Sequence, residues 1–256
     1  MNKNRNVIFS IITVVYNADK TIANCLQSVD QQSLKDIEHI VIDGGSTDQT
    51  LDILSKNSAS HRTVISQSDN GIYDAMNKGL AMAKGTFVAI LNADDVFQHS
   101  ESLKIVQDTF VENSADIVIG SVEYFRFPQI TQTVRRWRVL ASEVRRFSTG
   151  WHPPHPGFFV RRKCYELGGD FDVNLRVSAD FDLMLRFIDV LCFKVEVLES
   201  VTTRMAVDGM SGAWRNRIIG NVNVIRAFRK YNVRINPFIY LFRRLYPKML
   251  GLLGLK

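Results

Sequence analysis

Two adjacent carboxylates, Asp94 and Asp95, follow closely on an apolar run, Phe87-Val-Ala-Ile-Leu91, with Asn92 and Ala93 between. A run that is apolar at every position reads as a central strand buried on both faces, which fixes its end firmly in space. In open α/β sheets, ligands bind beyond the carboxyl ends of the strands. Carboxylates delivered there, beside the Asn92 amide, suit a hard divalent cation that keeps part of its shell for phosphate oxygens. A helix N-cap is the structural alternative for an Asp in this position. A second loop, Asp43-Gly-Gly-Ser-Thr-Asp48, has glycines that let a ligand approach the backbone, and Asp43 as an acceptor for a base or ribose N–H or O–H. The same residues also spell a simple turn with a Ser/Thr helix cap.

The elements that must position these groups alternate through the first half. Phe9 to Val15 is a β-rich run, and Ile22, Cys25, Leu26 and Val29 follow at helical spacing. Ile37 to Ile42 forms a second strand, with a helix from about Gln49, and Val64 to Ser66 a short third. Residues 72–84 carry Ala75, Met76, Leu80 and Ala83 on one stripe and stop at Gly85. The strand to Leu91, a helix from Ser100 to Phe110 and a strand near Ile117 to Val122 complete the series. Alternation of this kind predicts an α/β fold, a mostly parallel sheet with helices on both faces. All three strand-end loops, Thr13 to Asn17, Asp43 to Asp48 and Asn92 to Asp95, then share one edge. Beyond residue 123 the pattern is irregular.

The 256 residues, 46% hydrophobic, can bury a full core as one domain. Three cysteines without C-x-x-C spacing argue for a reducing compartment and against a disulfide framework or zinc site. The N-terminus has no apolar segment or cleavage site that marks export. The net charge of +6 is unevenly divided, with +10 in residues 204–256 and −4 in residues 1–203. In the tail, Phe238, Leu241, Phe242 and Leu245 recur at helical spacing with Arg243, Arg244 and Lys248 among them. That segment is too short and charged to span a bilayer, but suits an in-plane helix on anionic lipid. A terminal helix packed on the domain is the alternative. The basic segment Val134 to Arg146 is read as contacting a diphosphate, lipid phosphates or solvent. The acidic body argues against nucleic acid.

With these elements in place, five segments carry a resemblance. They are Ser10-Ile-Ile-Thr-Val-Val-Tyr-Asn17, Ile40-Val-Ile-Asp-Gly-Gly-Ser-Thr-Asp48, Ser68-Asp-Asn-Gly-Ile-Tyr-Asp-Ala-Met-Asn-Lys-Gly79, Leu91-Asn-Ala-Asp-Asp95 and Ser178-Ala-Asp-Phe-Asp-Leu-Met-Leu-Arg186. In this order they resemble the GT-A fold glycosyltransferases of family 2, closest to enzymes of capsule, colanic-acid or O-antigen assembly. The resemblance implies a Rossmann-like GT-A domain over residues 1–203, with a nucleotide-sugar half to about 122 and an acceptor half from about 123. A basic helical tail, 204–256, follows. It implies inverting transfer of one sugar from a nucleotide-diphosphate donor to a lipid-linked glycan acceptor in surface polysaccharide biosynthesis, in the cytoplasm at the inner membrane face.

Carried over by position, the resemblance assigns Thr13, Tyr16 and Asp43 to the nucleotide, with Asp43 on the base. Asp69, Asn77 and Lys78 flank the donor near ribose and phosphates. Asn92-Ala93-Asp94 stands where the family has Asp-x-Asp, so Asp94 is the first metal ligand and Asp95 the second, for Mn²⁺ or Mg²⁺. Asp180 stands where the family keeps its catalytic base, with Asp182 the local rival. His152 and His155 fall in the acceptor-side loop, and His155 is read as substrate-side. Pro153 and Pro154 between them, with no third ligand nearby, speak against a metal pair. Three positions depart from the family: Asn92 for the first Asp of Asp-x-Asp, Gly44 for a second Asp in the nucleotide loop, and Ala179 for a Glu before the base. The Gln-x-x-Arg-Trp signature of processive members is missing, which points to single-sugar transfer. The rivals weighed are a non-catalytic nucleotide-sugar-binding protein of the same fold and a nucleotidyltransferase. The latter should have glycine in the loop Tyr16 to Lys20.

Overall fold

The computed structural model describes residues 7–207, 214–236 and 240. Four parallel strands open the sheet: β3 (Arg62–Ser66), β2 (Ile37–Asp43), β1 (Phe9–Val15) and β4 (Phe87–Ile90), in that spatial order. The helices between them are α1 (Ile22–Asp30), α2 (Thr50–Lys56) and α3 (Ile72–Met82), each within a few residues of its sequence expectation. β5 (Val96–Phe97) and α4 (Ser102–Glu112) lead to β6 (Ile117–Arg126). Next to β4 lies β8 (Phe158–Arg161), which runs antiparallel to both β4 and β6 and leads into α5 (Arg162–Gly168). Its direction places its start, and the turn His155–Gly157 before it, at the C-terminal edge of β4. β9 (Val195–Ala206) joins β6 in parallel, and β7 (Gln129–Trp137) pairs antiparallel with the second half of β6.

Alternate residues along the strands feed two cores. Phe9, Ile11, Val15, Val41, Phe87 and Ala89 pack with α1 and α4 on one face. Ile12, Val14, Ile40, Ile42, Val88 and Ile90 pack on the other with α3 and with α6 (Ala179–Leu185). Burying each such aliphatic or aromatic side chain contributes about 1.5–3 kcal/mol, which holds the strand ends rigid. α3 lies close against β1 because Gly79 has no side chain: a Cβ there would sit 2.4 Å from Ile12.

The second half is ordered by polar contacts that have no periodic signature. Glu123, almost fully buried on β6, pairs with Arg136 on β7 and with Arg204 on β9, and accepts from Thr133 Oγ1 at 2.7 Å. Arg135 stacks over Tyr124 at 4.3 Å. Arg145 donates to the carbonyls of Ile188 and Phe193. These arginines of the basic segment are therefore committed to the fold rather than free for phosphate.

β9 crosses residue 203, and α7 (Trp214–Lys230) packs on α6 through Phe181 and Phe228, 5.4 Å apart. This part of the basic tail is thus built into the domain. The segment from Phe238 to Leu245, apart from the buried Tyr240, lies outside the described residues. Among the described residues no helix is long and apolar enough to cross a membrane.

Candidate active site

The loop after β4 separates the two carboxylates. Asp95 is buried, accepting from Ala206 N at 3.2 Å and from Asn92 Nδ2 at 3.3 Å. Burial, reinforced by the charge of Asp94, pushes its carboxyl well above the usual range. Asp94 is half-buried, its carboxyl also pushed up by burial, and its side chain has no partner residue among those described. The Asn92 amide oxygen is buried and, among the described residues, unpaired. Asp94 and Asn92 thus offer unsatisfied oxygens, while Asp95 anchors the loop to β9. Among the described residues no three His, Cys, Asp or Glu side chains converge as a metal cage.

Asp180 occupies the first turn of α6, preceded by Ser178 in a left-handed conformation (φ 70°). Tyr73, in the first turn of α3, donates from its hydroxyl to Asp180 Oδ1 at 3.0 Å. The Tyr73 ring stacks on Phe171 at 5.6 Å, and burial followed by the Asp180 charge raises the phenol well above its ordinary pKa, so it stays a donor. Burial lowers the pKa of His155, the nearby Asp180 charge opposing it, and among the described residues both buried ring nitrogens are without partners. Since His155 precedes β8 at the C-terminal end of β4, the Asp180 neighbourhood and the Asp94 loop share one sheet edge.

Asp182 is turned the other way. It is fully buried, accepting from Tyr231 at 3.0 Å and facing Lys230 at 3.3 Å, so it fastens α7 to α6 rather than facing an acceptor. Between the two aspartates, the structure leaves Asp180 as the accessible one.

The residues expected to hold the nucleotide also divide. Asp43 is buried and accepts from Gly45 N, Ser46 N, Ser46 Oγ and Ser66 Oγ, so its carboxylate shapes the loop. Thr13 is buried within the sheet. His39 Nδ1 accepts from Arg62 Nε at 3.1 Å, which leaves Nε2 to donate to Thr13 Oγ1 at 2.9 Å. Burial, with Arg62 adding, holds His39 neutral. The Thr13 side chain is therefore not brought to the site, whereas Tyr16 is 60% exposed. Asp69 stands beside Tyr16 over Gly44. Asn77 exchanges two hydrogen bonds with the Phe171 backbone, at 2.9 and 3.0 Å, and so ties the two halves together. Lys78 pairs with Asp74 at 3.2 Å and donates to the Ser68 carbonyl, fastening the Asp69 loop.

Residues 10–167 match the model of the glycosyl transferase family 2 domain. The chain belongs to glycosyl transferase family 2. A relative from Mycobacterium bovis, a PGL/p-HBAD biosynthesis glycosyltransferase, is 30% identical over 250 residues, covering 95% of this chain and 93% of that one. Among solved structures, S. aureus TarS 1-349 in complex with UDP-GlcNAc matches with a TM-score of 0.71 at 20% identity, covering 97% of this chain and 76% of that one. Mannosyltransferase PcManGT from Pyrobaculum calidifontis, in complex with GDP-Man and Mn2+, matches with a TM-score of 0.64 at 21% identity, covering 96% and 71%. The fold is GT-A, as the sequence resemblance implies.

In this family 2 glycosyltransferase, sequence reasoning passed over Tyr73 and His39. Tyr73 lies inside a quoted motif, but its partner is 107 residues away, and no local pattern announces that bond. His39 sits mid-strand with a basic Arg62 on the neighbouring strand, a pairing visible only once β2 and β3 are in register.

Proposed function

We propose that this glycosyltransferase moves one sugar, with inversion at the anomeric carbon, from a nucleotide-diphosphate donor to a lipid-linked glycan acceptor of surface polysaccharide assembly. The observation that carries the reading is the pair of half-buried carboxylates, Asp94 and Asp180, at the same edge of the sheet, one without a partner residue and the other held by Tyr73. In the reaction Asp180 takes the proton of the acceptor hydroxyl as that oxygen attacks the anomeric carbon. The bond from that carbon to the donor phosphate breaks, and the nucleoside diphosphate leaves from the opposite face. Tyr73 fixes the carboxylate while leaving its second oxygen for the proton. Asp94 and the orphaned Asn92 oxygen, both hard donors, are the residues that would hold a divalent cation, Mn²⁺ or Mg²⁺, and the chemistry it would supply there is Lewis-acid neutralisation of the charge developing on the diphosphate. Tyr16 and the Asp43-shaped loop receive the nucleoside, and His155 borders the acceptor side.

The protein works in this reading as a peripheral enzyme in the cytoplasm at the inner membrane face. Supporting it are the +10 charge of residues 204–256 and the outward side of α7, where Ile219 and Val222 lie exposed in line with Arg226 and Arg229. The test is turnover of a panel of nucleotide sugars with a lipid-linked oligosaccharide, with and without Mn²⁺ or Mg²⁺, and NMR assignment of the product anomer. An α-linked donor should give a β-linked product. Retention of configuration, or failure of every donor, would overturn the proposal.

A further inference from the structure

We propose that the β3 edge of the sheet is a dimer interface, at which β3 pairs antiparallel with β3 of a second copy of this chain about a two-fold axis through Val64. β3 ends the sheet, and no strand among the described residues pairs with its outer side. Its phase is set by β2. His39 N donates to the His61 carbonyl at 2.7 Å while His39 stands opposite Arg62, and Gln67 N donates to the Asp43 carbonyl at 2.9 Å while Asp43 stands opposite Ser66. In a parallel ladder of this register Thr63 and Ile65 turn their backbone groups to β2, and Arg62, Val64 and Ser66 turn theirs outward. The pairing has no bulge and the strand holds neither lysine nor proline, the devices that blunt an open edge.

Val64 makes this edge self-complementary. With its N–H and C=O both outward, it exchanges both bonds with Val64 of the second copy, the closely bonded pair of an antiparallel ladder, and Ser66 N–H then reaches the Arg62 carbonyl on each side. The side chains agree with that axis. Val64 and Leu51, 39% and 37% exposed, line an open groove of about 490 Å³ between β3 and α2, with Leu54 and Ser55. The axis lays α2 antiparallel to its copy across this groove. Asp52 in the first turn of α2 and Lys56 in the last are exposed, and neither has an ion-pair partner among the described residues. Antiparallel helices bring Asp52 of each copy to Lys56 of the other, so the charges are complementary about the same two-fold. Leu54 belongs to the core on the α1 face of the sheet, whereas α7 packs on the opposite face. A two-fold perpendicular to the sheet therefore keeps both α7 helices on one side of the dimer, away from the α2 pair.

The experiment is sedimentation equilibrium of the full chain over a concentration series into the micromolar range. The chain of 29.2 kDa should give a species of twice that mass that dissociates on dilution. Val64→Pro removes an N–H that β2 does not use, and Val64→Lys sets two like charges at the axis; each should weaken the dimer at least about tenfold. Melts of the dilute monomer, little changed, show that both variants fold. Asp52→Lys alone and Lys56→Asp alone should each weaken self-association about threefold or more. An equimolar mixture of these two variants should restore it, since each cross-contact is again Lys with Asp, and mixing repairs no defect of folding. A monomer throughout the series, or a dimer that neither Val64 variant weakens, overturns the proposal. A mixture that associates no more tightly than the separate charge variants overturns it as well.

Discussion

The hydroxyl of Tyr73 donates to Asp180 Oδ1 across 3.0 Å, joining the first turn of α3 to the first turn of α6. α3 begins where the Asp69 loop ends, so one tyrosine links the proposed donor loops to the proposed base. Tyr73→Phe keeps the ring stacked on Phe171 and removes only this bond. We expect kcat to fall about 10- to 100-fold, the range of a hydrogen bond to a charged group, while donor KM changes less than threefold or so. Steady-state kinetics separates the two, and an unchanged kcat would deny Tyr73 any part in holding Asp180.

The divided carboxylate loop makes a second prediction. Asp94→Ala should abolish the dependence of nucleotide binding on Mn²⁺ or Mg²⁺ and leave the melting temperature nearly unchanged, because the Asp94 side chain has no partner residue among those described. Asp95→Ala should instead destabilise the fold by about 1–3 kcal/mol, since the buried Ala206 N–H then loses its acceptor. Thermal melts with a metal titration distinguish them.

Asp95 also sets a pH dependence. Its carboxyl is raised well above 3.8 in the folded chain, by burial first and the Asp94 charge second. The folded state therefore binds the proton more tightly than the unfolded one, and this contribution is present below pH 3.8 and lost as pH rises through the folded value. Asp95→Asn keeps an acceptor for Ala206 N–H without the charge. Its melting temperature relative to the parent, measured in chelator, should rise as pH increases from 4 to 8 or so. A difference independent of pH would contradict the assignment.

Asp182 should matter for stability rather than chemistry. Asp182→Ala leaves Tyr231 and Lys230 without their buried acceptor and should cost about 1–3 kcal/mol. Limited proteolysis should show α7 loosened from α6, while donor affinity is retained. Loss of donor affinity with an intact melt would return Asp182 to the site.

Much of the first half of the chain was legible because its strands are continuous apolar runs and its helices keep a 3.6-residue stripe. The second half was not. β7 is exposed at most positions and is held by Arg136 on Glu123 and Arg135 over Tyr124, contacts that no periodicity reveals. Within the site, Asp94 and Asp180 were readable as the end of a buried strand and the start of an amphipathic helix. Which of Asp180 and Asp182 faces outward was not, because both fit the first turn and only the packing of α7 decides. Thr13 shows a similar limit. In a strand buried on both faces, alternation does not say that its hydroxyl meets His39 rather than a ligand. Asn77, too, reads as a ligand residue until Phe171, 94 residues away, claims its amide.

The central claim is that Asp180 is the base of an inverting transfer. The most direct measurement is the single-turnover rate of Asp180→Asn with saturating donor and acceptor, alongside its donor dissociation constant. The account predicts a loss of about 10²- to 10⁴-fold in rate with donor affinity unchanged. Transfer at the parent rate by Asp180→Asn would contradict it.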